Sequence, residues 1–194
     1  MENIIKLLKL HQQFEAQTSC IDALTIYDAI LRTPSGAVVE VGSACGGTTI
    51  VMIQAARRRN KMVYSVDPYP VEFENKAASY KEGLMNEFKK KFRQNILNGQ
   101  YKNIVQFNSD LNDCIDSIPK HLSVVFIDGC HEFEFLKREF DLLWPRIIRK
   151  GIIFIHDIQC EKGQLTGTDE GGLSNILKHV KGEIISDYML KIVK

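Results

Sequence analysis

Five short apolar runs, each ending in polar residues, constrain this chain more than any other feature. They are Ala37-Val38-Val39-Glu40-Val41, Met62-Val63-Tyr64-Ser65-Val66, Ile104-Val105-Gln106-Phe107, Val124-Val125-Phe126-Ile127 and Ile152-Ile153-Phe154-Ile155. A strand with one wet face alternates polar and apolar residues. These runs do not, so helices must cover both of their faces. The segments between them carry helical spacing, with Ile50 and Ile53 in one, Leu84, Phe88, Phe92 and Ile96 in another, and Phe133, Leu136, Phe140, Leu143 and Trp144 in a third. Pro145 and Gly151 bracket the end of that last helix before the fifth run. Residues 183–187 and 188–193 read as two closing strands. The pattern predicts an α/β fold built on a parallel sheet with helices on both faces.

Two helices precede the first strand. Ile4, Leu7, Leu8 and Phe14 recur at helical spacing between lysines, and the stretch from Ile21 to Leu31 stops at the turn Thr33-Pro34-Ser35-Gly36. At 194 residues the chain is expected to form one domain, with residues 1–35 a helical cover and residues 36–194 an α/β core. The first helix has a second reading, as a docking helix for a partner. The clusters Arg57-Arg58-Arg59 and Lys89-Lys90-Lys91 fall late on helices, where cations meet the negative end of the dipole.

Charge and cysteine content narrow the partners. Lys plus Arg number 25 against 24 Asp plus Glu, a net +1, which gives no cationic field for a phosphate backbone, so nucleic acid is not expected. Five scattered cysteines without a C-x-x-C pair read as thiols in a reducing cytoplasm. Lys6 and Lys9 break the apolar start, which is not an export signal, and no run approaches the roughly 18 residues that span a bilayer. A cytoplasmic protein without a membrane partner is the expectation. A homodimer contact through the first helix or the last strand stays open.

In an open parallel sheet, ligands bind at the carboxyl ends of the strands. The residues there are Glu40 to Ser43, Asp67, Ser109-Asp110, Asp128 and His156-Asp157. One such carboxylate alone reads equally well as a helix cap; five together point to a site. The first turn, Gly42-Ser43-Ala44-Cys45-Gly46-Gly47-Thr48-Thr49, admits three chemistries. A phosphate-cradling loop needs a lysine where Thr48 stands. A dinucleotide fingerprint needs a glycine where Ala44 stands. S-adenosylmethionine has no phosphate and offers an ammonium, a carboxylate, a ribose diol and an adenine. Glu40, Ser43, Thr48 and Asp67 suit those groups.

Four ordered segments carry a resemblance. Val39 to Thr49, Val66-Asp67-Pro68, Val125-Phe126-Ile127-Asp128-Gly129-Cys130-His131 and Lys150-Gly151-Ile152-Ile153-Phe154-Ile155-His156-Asp157 resemble the motifs of class I S-adenosylmethionine-dependent methyltransferases. The D-G-x-H and G-I-I-F-x-H-D segments are most similar to the small-molecule O-methyltransferase branch that includes the catechol and macrocin types. The resemblance implies a Rossmann-like fold with a mostly parallel seven-stranded sheet, S-adenosyl-L-methionine as cofactor, and a small hydroxylated molecule as methyl acceptor. It places Glu40, Gly42, Ser43, Gly46 and Thr48 at the methionine side, Asp67 at the ribose, and Asp110, Leu111 and Asn112 at the adenine edge. It also puts Asp128 on the family's metal-binding aspartate and makes Asp128 and His131 the catalytic pair, His131 standing where catechol enzymes carry a lysine base.

The chain departs from that pattern after the fifth strand, where His156-Asp157 replaces the acid-asparagine or two-acid arrangements. Asp128, His156 and Asp157 can still offer a mixed nitrogen and oxygen site to a divalent ion, Mg²⁺ or Mn²⁺, with the imidazole making Fe²⁺ or Zn²⁺ thinkable. His131 has a second reading as a capping or supporting histidine. Two other enzyme classes stay open on the same residues: a metal-dependent hydrolase using Asp128, His131, His156 and Asp157, and a nicotinamide-dependent oxidoreductase. So does a catalytically silent binding module.

Overall fold

The five runs form neighbouring parallel strands in the computed structural model, which describes residues 2–69, 78–130, 133–158, 160–161, 164–165, 180–186 and 188–194. In chain order the helical cover is α1 (Glu2–Gln13) and α2 (Cys20–Arg32). Then follow β1 (Ala37–Val41), α3 (Gly47–Arg58), β2 (Val63–Val66), α4 (Ala78–Phe92), β3 (Ile104–Phe107), a short α5 (Leu111–Cys114), β4 (Leu122–Ile127), α6 (Phe133–Leu143) and β5 (Ile147–His156). A two-stranded pair, β6 (Cys160–Glu161) and β7 (Gln164–Leu165), precedes the closing hairpin of β8 (Gly182–Ser186) and β9 (Met189–Val193). The main sheet has seven strands in the order β3-β2-β1-β4-β5-β9-β8. The first five are parallel; β9 runs antiparallel to β5 and to β8. This is the Rossmann-like architecture expected, with the order reversing between β1 and β4.

Strand alternation explains why the runs are apolar throughout. Val38, Val63, Val124, Phe126 and Phe154 pack with Ile26 and Ile30 of α2 and with Ile50 and Ile53 of α3. Val39, Val41, Val125, Ile127, Ile153 and Ile155 pack on the opposite face with Leu136, Phe140 and Leu143 of α6. The helical cover therefore belongs to one core layer. Its Ala23, Ile26 and Ile30 are wholly buried.

Two details differ from the sequence reading. The stripe Leu84, Phe88, Phe92 and Ile96 outlasts α4: Arg93–Leu97 is a π turn, and it still buries Ile96 completely beside Phe92. β5 begins at Ile147, before Gly151, because Ile147 pairs with Leu122 and the register then slips, so that Val124 pairs with Ile152. Lys150 takes a positive φ of 64° in that slip, and its N–H donates to the Lys194 carbonyl at 2.8 Å. Among the described residues no helix is long and apolar enough to cross a membrane.

Candidate active site

The carboxyl ends of β1, β2, β4 and β5 meet around the glycine turn. Gly42 has φ 84°, and a Cβ there would lie 2.2 Å from the Asp128 carbonyl oxygen. Only glycine lets the β1 and β4 strand ends approach so closely. The turn is then tied to β2. Asp67 Oδ2 accepts the N–H groups of Ser43 at 2.9 Å and Ala44 at 3.0 Å, and Oδ1 accepts that of Tyr69 at 2.9 Å. Burial lifts the Asp67 carboxyl above its ordinary range, and the three N–H groups pull it partly back. Ala44 sits in the left-handed region at φ 42°, where the dinucleotide fingerprint would place a glycine. The Tyr69 hydroxyl donates to the Ala44 carbonyl at 3.0 Å and closes the turn.

Glu40 is fully buried. Its Oε2 accepts the Thr49 hydroxyl at 2.5 Å, the Ser65 side chain of β2 also bears on the carboxyl, and Oε1 makes no close hydrogen bond. Burial pushes its carboxyl up to about 8, with the Asp128 and Asp67 charges adding to the rise. Glu40 faces a cleft of about 290 Å³, counting its open mouth, which Gly42, Thr48 and Asp128 also line. Across the cleft α3 begins at Gly47 with no side chain capping its first turn. A buried acid with a spare oxygen therefore faces a helix start that favours anions.

The roof of this cleft comes from the connection between α1 and α2, which the sequence reading did not assign to the site. Glu15, Ala16 and Gln17 line it. Ala16 rests on Gly47 so tightly that a Cβ at Gly47 would lie 2.4 Å from the Ala16 Cα. The Thr18 and Thr48 hydroxyls are 2.8 Å apart, and behind them His11 Nε2 lies 3.0 Å from the Thr18 hydroxyl. Burial lowers the His11 pKa, so the ring is neutral. Glu15 reaches down to Lys91 of α4 at 2.7 Å. No local pattern marks residues 14–18; only their position above Gly47 does.

On the β4 and β5 side the residues are charged. His156 Nδ1 lies 3.0 Å from Asp128 Oδ1 and 3.1 Å from Asp157 Oδ1, and Nε2 is 3.6 Å from Oδ2 of Asp22 in α2. Burial works against a charged ring here, but Asp128, Asp157 and Asp22 outweigh it and raise the His156 pKa to about 11. Asp128, His156 and Asp157 each offer a ligand atom, all within 4.8 Å of one another. The fold thus assembles the three residues that the sequence reading named for a metal. Farther along, Asp110 caps α5 through Asn112 N–H at 3.2 Å and pairs with Arg138 at 3.4 Å, while Leu111 is buried. Glu139 of α6 is 7% exposed with Oε2 unpartnered, and burial pushes its carboxyl up to about 7, with Asp110 contributing. His131, the candidate base, lies outside the described residues, as does most of 159–172.

The profile of the Methyltransferase domain family matches residues 39–158, the stretch that holds every strand end described above. The chain belongs to that family. Among curated proteins it is 25% identical over 123 residues to protein R132 of Acanthamoeba polyphaga mimivirus, a match that takes in 62% of this chain and 51% of R132, so the chain spans about half the length of that relative. Two solved structures show the shared fold. One is the O-methyltransferase TomG of Streptomyces achromogenes, in complex with S-adenosylmethionine, with TM-score 0.64, 13% identity and coverage of 100% of this chain and 90% of TomG. The other is the mycinamycin-pathway methyltransferase MycE, in complex with Mg, S-adenosylhomocysteine and mycinamycin VI, with TM-score 0.61, 14% identity and coverage of 97% and 53%. Family membership removes the support for the hydrolase and oxidoreductase readings.

Proposed function

We propose that this protein transfers the methyl group of S-adenosyl-L-methionine to a hydroxyl of a small molecule, in the cytoplasm, with residues 1–35 covering a core formed by residues 36–194. One observation carries the reading: the cleft sets the spare, buried oxygen of Glu40 opposite the uncapped start of α3. An amino acid end with both an ammonium and a carboxylate satisfies both at once. A triphosphate does not, because no cation stands at Thr48.

The donor set fits the cofactor group by group. Glu40 takes the ammonium. Thr48 and the first N–H groups of α3 take the carboxylate, with Ser43, Gly42 and Gly46 shaping the floor. Asp67, whose two oxygens already accept three N–H groups, keeps lone pairs for the ribose diol. Asp110, Leu111 and Asn112 border the adenine. When bound, the cofactor supplies an electrophilic methyl carried on a sulfonium. The protein's part is alignment of the acceptor oxygen behind that methyl, which is worth several kcal/mol and up to roughly 7 to 11 in well-oriented reactions. His131 accepts the hydroxyl proton, with Asp128 as its catalytic partner. Asp128, His156 and Asp157 would hold a divalent ion, Mg²⁺ or Mn²⁺, which would orient the acceptor oxygen and lower its pKa.

Titration of the protein with S-adenosylhomocysteine in a calorimeter tests the reading. Binding at micromolar concentration supports it, and no heat at millimolar concentration removes it.

A further inference from the structure

Asp22 is a buried acid with no role in the reading so far. It stands in the first turn of α2, in the helical cover, and is 1% exposed. Its backbone N–H donates to the Ser19 hydroxyl oxygen at 3.1 Å, and its Oδ2 accepts the Ser19 hydroxyl at 2.8 Å, the reciprocal contacts of a helix start. A cap needs no more than that, and caps are ordinarily solvated. Here the Ser186 side chain of β8 also bears on the carboxylate, and Oδ2 faces His156 Nε2 at 3.6 Å. His156 is itself 8% exposed, with Nε2 lacking a hydrogen bond. Phe126 packs edge-on against its ring at 5.8 Å. Two polar groups, each more than nine-tenths buried, thus point at one another from elements far apart in sequence. Their opposite ends differ: Asp22 leads back to Ser19, whereas the His156 ring leads forward, through Nδ1, to Asp128 and Asp157.

A neutral imidazole carries one N–H and one lone pair. Without an ion, Nδ1 shares a proton with Asp128 and Asp157; a cation among those three takes that proton's place, and the carboxylate behind Nε2 keeps the remaining N–H there. We propose that Asp22 is a positioning residue: it holds the His156 Nε2–H so that Nδ1 joins Asp128 and Asp157 in binding a divalent cation. The inference rests on the metal reading of those three residues and adds to it the ligating atom of His156 and a contribution from the cover. An anion behind the ring makes the imidazole a stronger donor, which favours borderline ions such as Mn²⁺, Co²⁺ or Zn²⁺ over Mg²⁺. It also makes ion binding depend on α2 being docked.

The test is a titration of the full-length protein, stripped with chelator, with Co²⁺, followed by visible absorption and equilibrium dialysis. The wild type is expected to take up a single Co²⁺ with the spectrum of nitrogen and oxygen ligation, and to prefer it to Mg²⁺. Asp22→Asn should weaken uptake about 10-fold, while affinity for S-adenosylhomocysteine stays at the wild-type level. Ser19→Ala, which keeps the charge but frees the carboxylate, should give a smaller loss and serves if Asp22→Asn does not fold. No Co²⁺ uptake by the wild type overturns the proposal, as does equal uptake by both variants and wild type. Loss of the cofactor product's binding alone, with the Asp22 effect intact, sinks the methyl-transfer reading and leaves this one standing.

Discussion

The two halves of the strand-end region are built on opposite principles. On the β1 and β2 side, Asp67 and the turn from Gly42 to Ala44 satisfy one another through main-chain hydrogen bonds, and the geometry is fixed by backbone contact. On the β4 and β5 side, Asp22, Asp128, His156, Asp157 and Glu139 gather charge in a largely buried setting, and Asp22, His156 and Glu139 each keep an unpartnered atom. The first side gains stability from that arrangement, Glu40 excepted, whose burial is costly as well. The second holds groups whose burial is costly, in keeping with the cation site and proton transfer proposed above.

The contrast can be broken most directly at Gly42. Gly42→Ala forces a Cβ into the Asp128 carbonyl at a φ that disfavours it, and should destabilise the fold by about 3 kcal/mol or more in urea melts, with loss of S-adenosylhomocysteine binding. Glu139→Gln should do the reverse on the charged side. The folded state raises the Glu139 pKa from 4.5 to about 7, so it retains a proton that the unfolded chain has released, and stability falls as pH rises across that interval. The variant should match wild type near pH 4.5 and exceed it by up to about 3 kcal/mol at pH 8, measured by denaturation at both. His131→Ala should lower turnover about 100-fold, on any acceptor the wild type methylates, without changing cofactor affinity. Thr18→Val should cost about 1 to 2 kcal/mol, because it leaves His11 Nε2 buried without its partner. It should also loosen cofactor binding, read by calorimetry.

What the sequence made legible follows the same division. Unbroken apolar runs such as Val124 to Ile127 announce strands covered on both faces, and polar residues at their ends announce the site, because both signals are local. Glu40, Asp67, Asp128 and His156 were readable in that way. Asp22 and Ala16 were not. The S-x-x-D pattern of Ser19 and Asp22 marks a helix start, but that the same carboxylate meets His156 follows from docking α2 on the sheet, which no local pattern encodes. Ala16 looks like any loop residue until Gly47 is found beneath it. The early start of β5 was hidden because Arg149 and Lys150 interrupt the apolar pattern at the register slip.

The seating of Ala16 on Gly47 decides what a shortened protein would be. A chain cut to begin at Gly36 would retain all nine strands found among the described residues, and its sheet order would be unchanged. It would nonetheless lose the roof of the cleft, the three wholly buried residues Ala23, Ile26 and Ile30, and the acid behind His156. The opening helices are thus as much a part of the domain as the sheet.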